Sequence, residues 1–189
     1  MLYKKPVKKS DKIYRKNVIF IILLAIYTCG LCAGCAFALK NSENFEFVHR
    51  VTLTHNFNAA LRVYTGLDLS FLVRDLLRII FLVLLKYSGI LKGFTVSVPF
   101  AMALQNACIY ISLLCSGVKN NIILFMTTAL KNSSIIFLIL IFCGIIVTDI
   151  IDERENHRKD IKTATVYSIS ISLIYVIDYF VRIFIYPGA

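Results

Sequence analysis

The sequence predicts an all-α integral membrane protein, a polytopic bundle of about five transmembrane helices. Hydrophobic residues make up 58% of the 189 residues and charged residues only 17%, a composition shifted away from that of soluble domains. Residues 93–151 are almost continuously apolar, and these 59 residues are long enough to cross a bilayer twice at about 20 residues per crossing. At this chain length we expect one membrane domain, residues 18–189, and no separate soluble catalytic domain.

The N-terminal tail, residues 1–17, is polar and basic. Seven of the 21 Lys and Arg lie in it, directly before the first apolar span. The net charge of +10 is also compatible with nucleic-acid binding, but this placement is the one that the positive-inside rule assigns to a cytoplasmic flank. We therefore predict a cytoplasmic N-terminus next to anionic lipid and no nucleic-acid partner.

The first span is residues 18–39, which are 22 residues without a charge. A secretory signal peptide is the main alternative, but its apolar region would be shorter, so the length favours a retained helix. Gly30 and Gly34 form a GxxxG pattern on one helical face. Small residues at this spacing let a second helix approach closely, so van der Waals contact can hold the pair together in lipid. We predict helix packing at both glycines.

A polar connection, residues 40–68, follows the first span. With the N-terminus inside, this loop lies outside, and as the largest segment beyond the membrane it is the expected docking surface for a partner protein. Within it a short surface helix could form from the apolar residues Leu53, Phe57, Ala59, Ala60, Leu61 and Val63.

The second span, residues 69–91, carries Arg74, Asp75, Arg78 and Lys86. Asp75 and Arg78 are three residues apart and can therefore pair on one helix face. Charges inside a span are costly unless they face protein or water. Because these charges lie towards the ends of the span, we expect the arginines to snorkel to the outer surface and Lys86 to the inner one.

The third span, residues 93–115, contains a proline and two adjacent amides. Pro99 lacks a backbone donor, so a kink or interruption is expected near it. Gln105 and Asn106 lie side by side in an apolar environment and need hydrogen-bond partners, most simply on a neighbouring helix. We predict that they contribute to helix packing, and a polar lining is the alternative.

The last part of the membrane domain contains one short and two full apolar segments. Residues 121–130 are too short to cross and suit a re-entrant segment, although a sixth crossing there would reverse the helices that follow. The fourth and fifth spans are residues 133–151 and 164–186, joined by a charged loop predicted to lie inside. In the fifth span Asp178 and Arg182 are four residues apart and can form an intramembrane ion pair.

The motifs of common catalytic and metal sites are absent. The sequence contains no Walker A, GxGxxG, HExxH or GxSxG motif. Cys29, Cys32 and Cys35 have a spacing compatible with a metal cluster, but they lie in an uncharged apolar helix, which favours simple packing. Asp149 and Asp152 at the inner end of the fourth span leave a phosphate-handling intramembrane enzyme as a weaker hypothesis. We therefore expect no enzyme activity, no cofactor and no metal.

The order of these segments resembles that of the stage II sporulation protein M family. Lys92-Gly93-Phe94 matches part of a family stretch. The turn Gly117-Val118-Lys119-Asn120, the apolar segment 121–130 and Lys131-Asn132 resemble the family's glycine turn and the break before its next helix, and Tyr186-Pro187 resembles its ending. The resemblance implies a non-catalytic polytopic protein that recruits cell-wall-degrading partners to the septal membrane during forespore engulfment.

Besides the weaker enzyme hypothesis, two functions remain as the main hypotheses. The first is a membrane scaffold in a bacterial cell membrane, which binds cell-wall hydrolases or other membrane proteins. The second is a permease or transporter subunit, because Pro99, the amide pair and the Asp178–Arg182 pair are polar or irregular features of the kind that mark substrate routes.

Overall fold

The computed structural model describes residues 9–40, 69–115, 122–153 and 156–185, and these residues form helices joined by turns, with no strand among them. The connection 40–68 and the turn at Gly117 lie almost entirely outside the described residues, as does the Tyr186-Pro187 ending. The described elements are α1 (Lys9–Lys40), α2 (Leu69–Tyr87), a 3₁₀ helix (Leu91–Val96), α3 (Ser97–Cys115), α4 (Ile122–Ile151) and α5 (His157–Ile185).

Three of these helices are long and apolar enough to cross a membrane. The qualifying segments are Tyr14–Lys40 of α1, Ala129–Ile151 of α4 and His157–Val181 of α5. The all-helical membrane class agrees with the sequence prediction, whereas five crossings remain a prediction. Helices α2 and α3 have 19 residues each and would span about 28 Å at 1.5 Å per residue, close to the thickness of the hydrocarbon layer.

The hydrophobic core is centred on α4, which packs against α1, α2, α5 and the 3₁₀ helix. Phe142, Ile139 and Ile146 of α4 are fully buried, in one core cluster with Leu23 of α1 and Ile171 of α5. Much of the rest of the apolar surface is exposed, above all on α5. Helices whose apolar residues lie on both the inner and the outer faces are typical of proteins surrounded by lipid.

Ion pairs identify which helix ends lie together. Arg15 Nη1 of α1 lies 3.1 Å from Asp152 Oδ1, just after α4, and Lys86 Nζ of α2 lies 2.6 Å from Asp160 Oδ2 of α5. The start of α1, the end of α2, the end of α4 and the start of α5 therefore share one end of the bundle. We call it the Lys86 end, and α2 and α5 run antiparallel from it.

The interruption expected near Pro99 is present, because the predicted third span is divided into the 3₁₀ helix, which ends at Val96, and α3, which begins at Ser97. Pro99 itself is the third residue of α3. In the first turn of a helix the backbone N–H groups have no intrahelical acceptor, so a proline there removes no hydrogen bond and α3 needs no bend.

The predicted re-entrant segment at 121–130 was also wrong, because α4 runs without a break from Ile122 to Ile151. Polar residues in the middle of α4 do not interrupt it because their polar groups have partners. Ser134 Oγ donates a hydrogen bond to the Leu130 carbonyl oxygen at 2.9 Å, and Lys131 Nζ lies 3.4 Å from Asp178 Oδ2 of α5. The predicted fourth span, 133–151, is the second part of this longer helix.

Candidate functional site

Lys86 occupies the centre of a buried polar cluster at the Lys86 end. Its Nζ lies 2.6 Å from Asp160 Oδ2 and 3.3 Å from Asp149 Oδ2, and all three side chains are 6% exposed or less. The Tyr87 hydroxyl also donates a hydrogen bond to Asp160. These four residues, which we call the Lys86 cluster, connect α2, α4 and α5 through one ammonium group.

The prediction that Lys86 snorkels to the surface was wrong. A lysine at the end of α2 could reach water, but two carboxylates from neighbouring helices are closer, and a buried charge is tolerated when it is paired and hydrogen-bonded. The sequence contained a partial signal, since Asp149 was placed at the inner end of its span and the charged loop that contains Asp160 was predicted to lie inside, on the side to which Lys86 was assigned. Their pairing depended on helix rotation, which the sequence pattern did not define.

The edge of the Lys86 cluster is open to solvent or headgroups. Lys159 Nζ lies 3.7 Å from Asp149 Oδ2, and its side chain is 55% exposed. The His157 ring stacks on the Tyr87 ring with centroids 4.0 Å apart and planes inclined by 19°. One buried ammonium and one exposed ammonium thus face two buried carboxylates, so these four charges balance.

A second cluster, centred on Asp75, lies further from the Lys86 end along α2 and α5. Asp75 Oδ1 accepts a hydrogen bond from Arg78 Nη1 at 2.6 Å, so the predicted pair is present. Asp75 Oδ2 accepts a hydrogen bond from the Tyr175 hydroxyl of α5 at 2.8 Å. Arg78 Nη2 donates a hydrogen bond to Gln105 Oε1 of α3. The cluster therefore connects α2 with both α3 and α5.

Arg74 lies at the margin of this second cluster. Its Nε is 3.4 Å from Asp75 Oδ1, and its guanidinium lies over the Phe71 ring at 4.5 Å. Nη1 of Arg74 is buried and has no hydrogen-bond partner among the described residues. The Arg74 and Arg78 side chains are 23% and 18% exposed, so the predicted snorkelling does not describe them.

Lys131 of α4 faces Asp178 of α5, a contact that the sequence analysis did not predict. Besides the 3.4 Å ion pair, Lys131 Nζ lies 5.0 Å from the centre of the Tyr175 ring. Tyr175 thereby borders both Lys131 and the Asp75 cluster. The Arg182 side chain lies outside the described residues, so the Asp178–Arg182 pair remains a prediction.

The two amides of α3 face different helices. Gln105 accepts a hydrogen bond from Arg78 of α2, and the buried Asn106 side chain lies close to the Tyr27 side chain of α1. A position between helices is compatible with the predicted role of these amides in helix packing.

Gly30 and Gly34 lie where α1 crosses α3. A Cβ atom on Gly30 would be 2.6 Å from the Phe100 carbonyl oxygen, and one on Gly34 would be 2.7 Å from both the Leu104 carbonyl oxygen and the Ala107 Cβ. Real Cβ atoms do not approach backbone so closely, so only glycine fits at this separation. The GxxxG face of α1 thus contacts α3 with the two backbones close together.

The described residues contain no group of three or more His, Cys, Asp or Glu side chains that could hold a metal ion. The five described cysteines are all free, and Cys29 and Cys32 lie exposed on α1. Apart from the half-exposed Arg15–Asp152 pair, the ion pairs described above belong to the two α2 clusters and to Lys131 and Asp178.

Comparison with protein families, with curated proteins and with solved structures gives no match.

Proposed function

We propose that this chain is a non-catalytic membrane scaffold, a rigid bundle of five crossings that holds partner proteins at a bacterial cell membrane. The observation that supports this proposal is the pairing of buried polar side chains across helices. Lys86 connects α2 to α4 and α5, and Arg78 connects α2 to α3.

Such pairing supports a scaffold because the buried polar groups are used to hold the helices together and are not left to bind a transported substrate. A transport route needs polar side chains that face an open, water-accessible path. In the described residues nearly all buried polar side chains have a partner on a neighbouring helix or within their own, and the groove between α2 and α5 is lined mainly by apolar atoms. Hydrogen bonds and close backbone packing are also the forces that associate helices in lipid, where no hydrophobic effect acts between them.

The resemblance to the stage II sporulation protein M family suggests what the scaffold holds. On that basis the partners are cell-wall hydrolases at the septal membrane, recruited during forespore engulfment, and residues 40–68 on the outer side are their docking surface. The N-terminus is then cytoplasmic, and α2 and α3 complete the five crossings.

The proposal is tested by deleting the gene in its host and following sporulation by membrane-dye microscopy. We expect a septum that forms but does not migrate around the forespore. Complementation with the wild-type chain should restore engulfment, and a chain lacking only residues 45–65 should insert in the membrane without restoring it. Normal engulfment in the deletion strain would rule out this function.

A permease or transporter subunit is the second candidate, and one observation favours it. Lys86 is shared by two carboxylates and is bordered by His157 and the exposed Lys159, and intramembrane ionisable groups of this kind mark proton or ion pathways. Proteoliposomes containing a trapped pH-sensitive dye test it. Proton uptake under an imposed membrane potential that is lost in Lys86→Gln and retained in Lys16→Gln would favour transport over the scaffold.

A further inference from the structure

A groove of about 500 Å³ runs along the surface of the bundle between α2 and α5. Several of its side chains are large, apolar and more than half exposed, although they lie within or beside the membrane-spanning segments. The residues that define the two walls are Ile80, Leu84, Ile161, Ser168, Ile169 and Ser172. Inside a bilayer this surface contacts hydrocarbon, so the groove is filled by a hydrocarbon group.

The dimensions of the groove fit a single extended chain. From Ile161 to Ser172 it follows 12 residues of α5, and the 11 steps between them rise about 16 Å at 1.5 Å per residue. An elongated groove of this length, lined mainly by apolar atoms, suits one extended hydrocarbon chain.

The end of the groove at the Lys86 end is basic. The stacked rings of Tyr87 and His157 lie at this end of α2 and α5, and Arg158 lies three residues before the groove residue Ile161, on the same side of α5. Arg158 and Lys162 are both exposed. The nearby carboxylate of Asp160 is buried against Lys86 and Tyr87, so it does not offset these charges at the surface.

We propose that this groove binds one acyl chain of an anionic phospholipid, with the phosphate headgroup held by Arg158 at the membrane surface. Charge complementarity supports an anionic headgroup, because Arg presents several N–H donors in a planar fork that matches phosphate oxygens. The predicted topology places this end on the cytoplasmic side, the leaflet whose anionic lipids attract basic residues next to the membrane. Small side chains on α5 leave room for the chain where α2 and α5 face each other.

The test is native mass spectrometry of the purified full-length chain in detergent, titrated with dioleoylphosphatidylglycerol or dioleoylphosphatidylcholine. We expect one phosphatidylglycerol molecule per chain, bound about fivefold more tightly than phosphatidylcholine, as one basic side chain near an anionic lipid provides. Arg158→Ala should remove that preference. Lys16→Ala, which removes an exposed cation from α1, should leave it unchanged.

A second set of variants tests the proposal by filling the groove. Ser168→Phe places an aromatic ring in the groove and should abolish binding of both lipids, whereas Ser170→Phe makes the same change on the opposite side of α5 and should retain it. Circular dichroism and size-exclusion profiles establish that each variant is folded. If Ser168→Phe does not fold, Arg158→Ala, an exposed position, still decides the outcome.

Three results would overturn the proposal. One is equal lipid binding by Ser168→Phe and Ser170→Phe. Another is an Arg158→Ala variant that keeps its preference for phosphatidylglycerol. The third is a dimer of the wild-type chain that dissociates in Ser168→Phe while lipid binding persists, which would assign the groove to a second copy of the chain.

Discussion

Replacing Lys86 with leucine removes the only buried cation of its cluster. Asp160 would keep the Tyr87 hydroxyl as a partner, and Asp149 would keep the ammonium group of Lys159 at 3.7 Å. Neither compensates, because a hydroxyl carries no charge and the Lys159 side chain is mostly exposed. Removing one partner of a buried ion pair typically costs about 3–5 kcal/mol, since it leaves an uncompensated buried charge. We expect Lys86→Leu to lower the free energy of unfolding by that amount.

The measurement is an unfolding titration with sodium dodecyl sulfate in mixed detergent micelles, followed by circular dichroism. Lys86→Arg is the conservative control, because it keeps a cation at the position, and it should cost about 1 kcal/mol through imperfect fit. The double variant Lys86→Leu with Asp160→Leu should be more stable than Lys86→Leu alone, because it also removes the Asp160 carboxylate, which would otherwise stay buried without a cation.

A Lys86→Leu variant within about 1 kcal/mol of the wild-type chain would refute this reasoning. It would mean that the Lys86 cluster has water access in the membrane and that its charges are solvated rather than buried. The same result would weaken the scaffold proposal and strengthen the transporter alternative, since a solvated intramembrane cluster is the expected property of an ion pathway.

Three further predictions concern packing and weaker pairs, each measured by the same unfolding titration. Gly34→Ala should destabilise the bundle by about 1–3 kcal/mol, because its Cβ would meet the α3 backbone, whereas Gly93→Ala, where a Cβ meets open space, should change little. Gln105→Leu should cost about 1–3 kcal/mol because it leaves a half-buried guanidinium with one acceptor fewer, and a loss below 0.5 kcal/mol would contradict that hydrogen bond. Asp152→Asn should cost less than about 1 kcal/mol, since its pair with Arg15 is half exposed.

The helical membrane class could be predicted because it depends on composition and segment length alone. The GxxxG pattern at Gly30 and Gly34 indicated a close helix contact, and in the structure this face of α1 lies against α3. Spacing on one helix also predicted the Asp75–Arg78 pair, because residues three apart share a face whatever the tertiary structure.

The contacts between helices could not be predicted, because they depend on how each helix is rotated about its axis. The sequence placed Lys86 near the end of its span, and from that position snorkelling and burial were both physically possible. The outcome was decided by Asp149 and Asp160, which lie 63 and 74 residues further along the chain. The helix break predicted around Lys131 was wrong for the same reason, a contact between helices. The Lys131 charge is compensated by Asp178 of α5 rather than by water, so the helix continues through it.

The two polar clusters also account for the groove between them. Asp75 binds Tyr175 at one end and Lys86 binds Asp160 at the other, so α2 and α5 are held together at two points. Between these two contacts α5 presents small side chains such as Ser168, which are too small to fill the space between the helices. The polar contacts therefore set the distance between α2 and α5, and the apolar side chains between them leave the groove unfilled. Because these two polar contacts lie outside the groove, the phenyl ring of Ser168→Phe should fill the groove without breaking them.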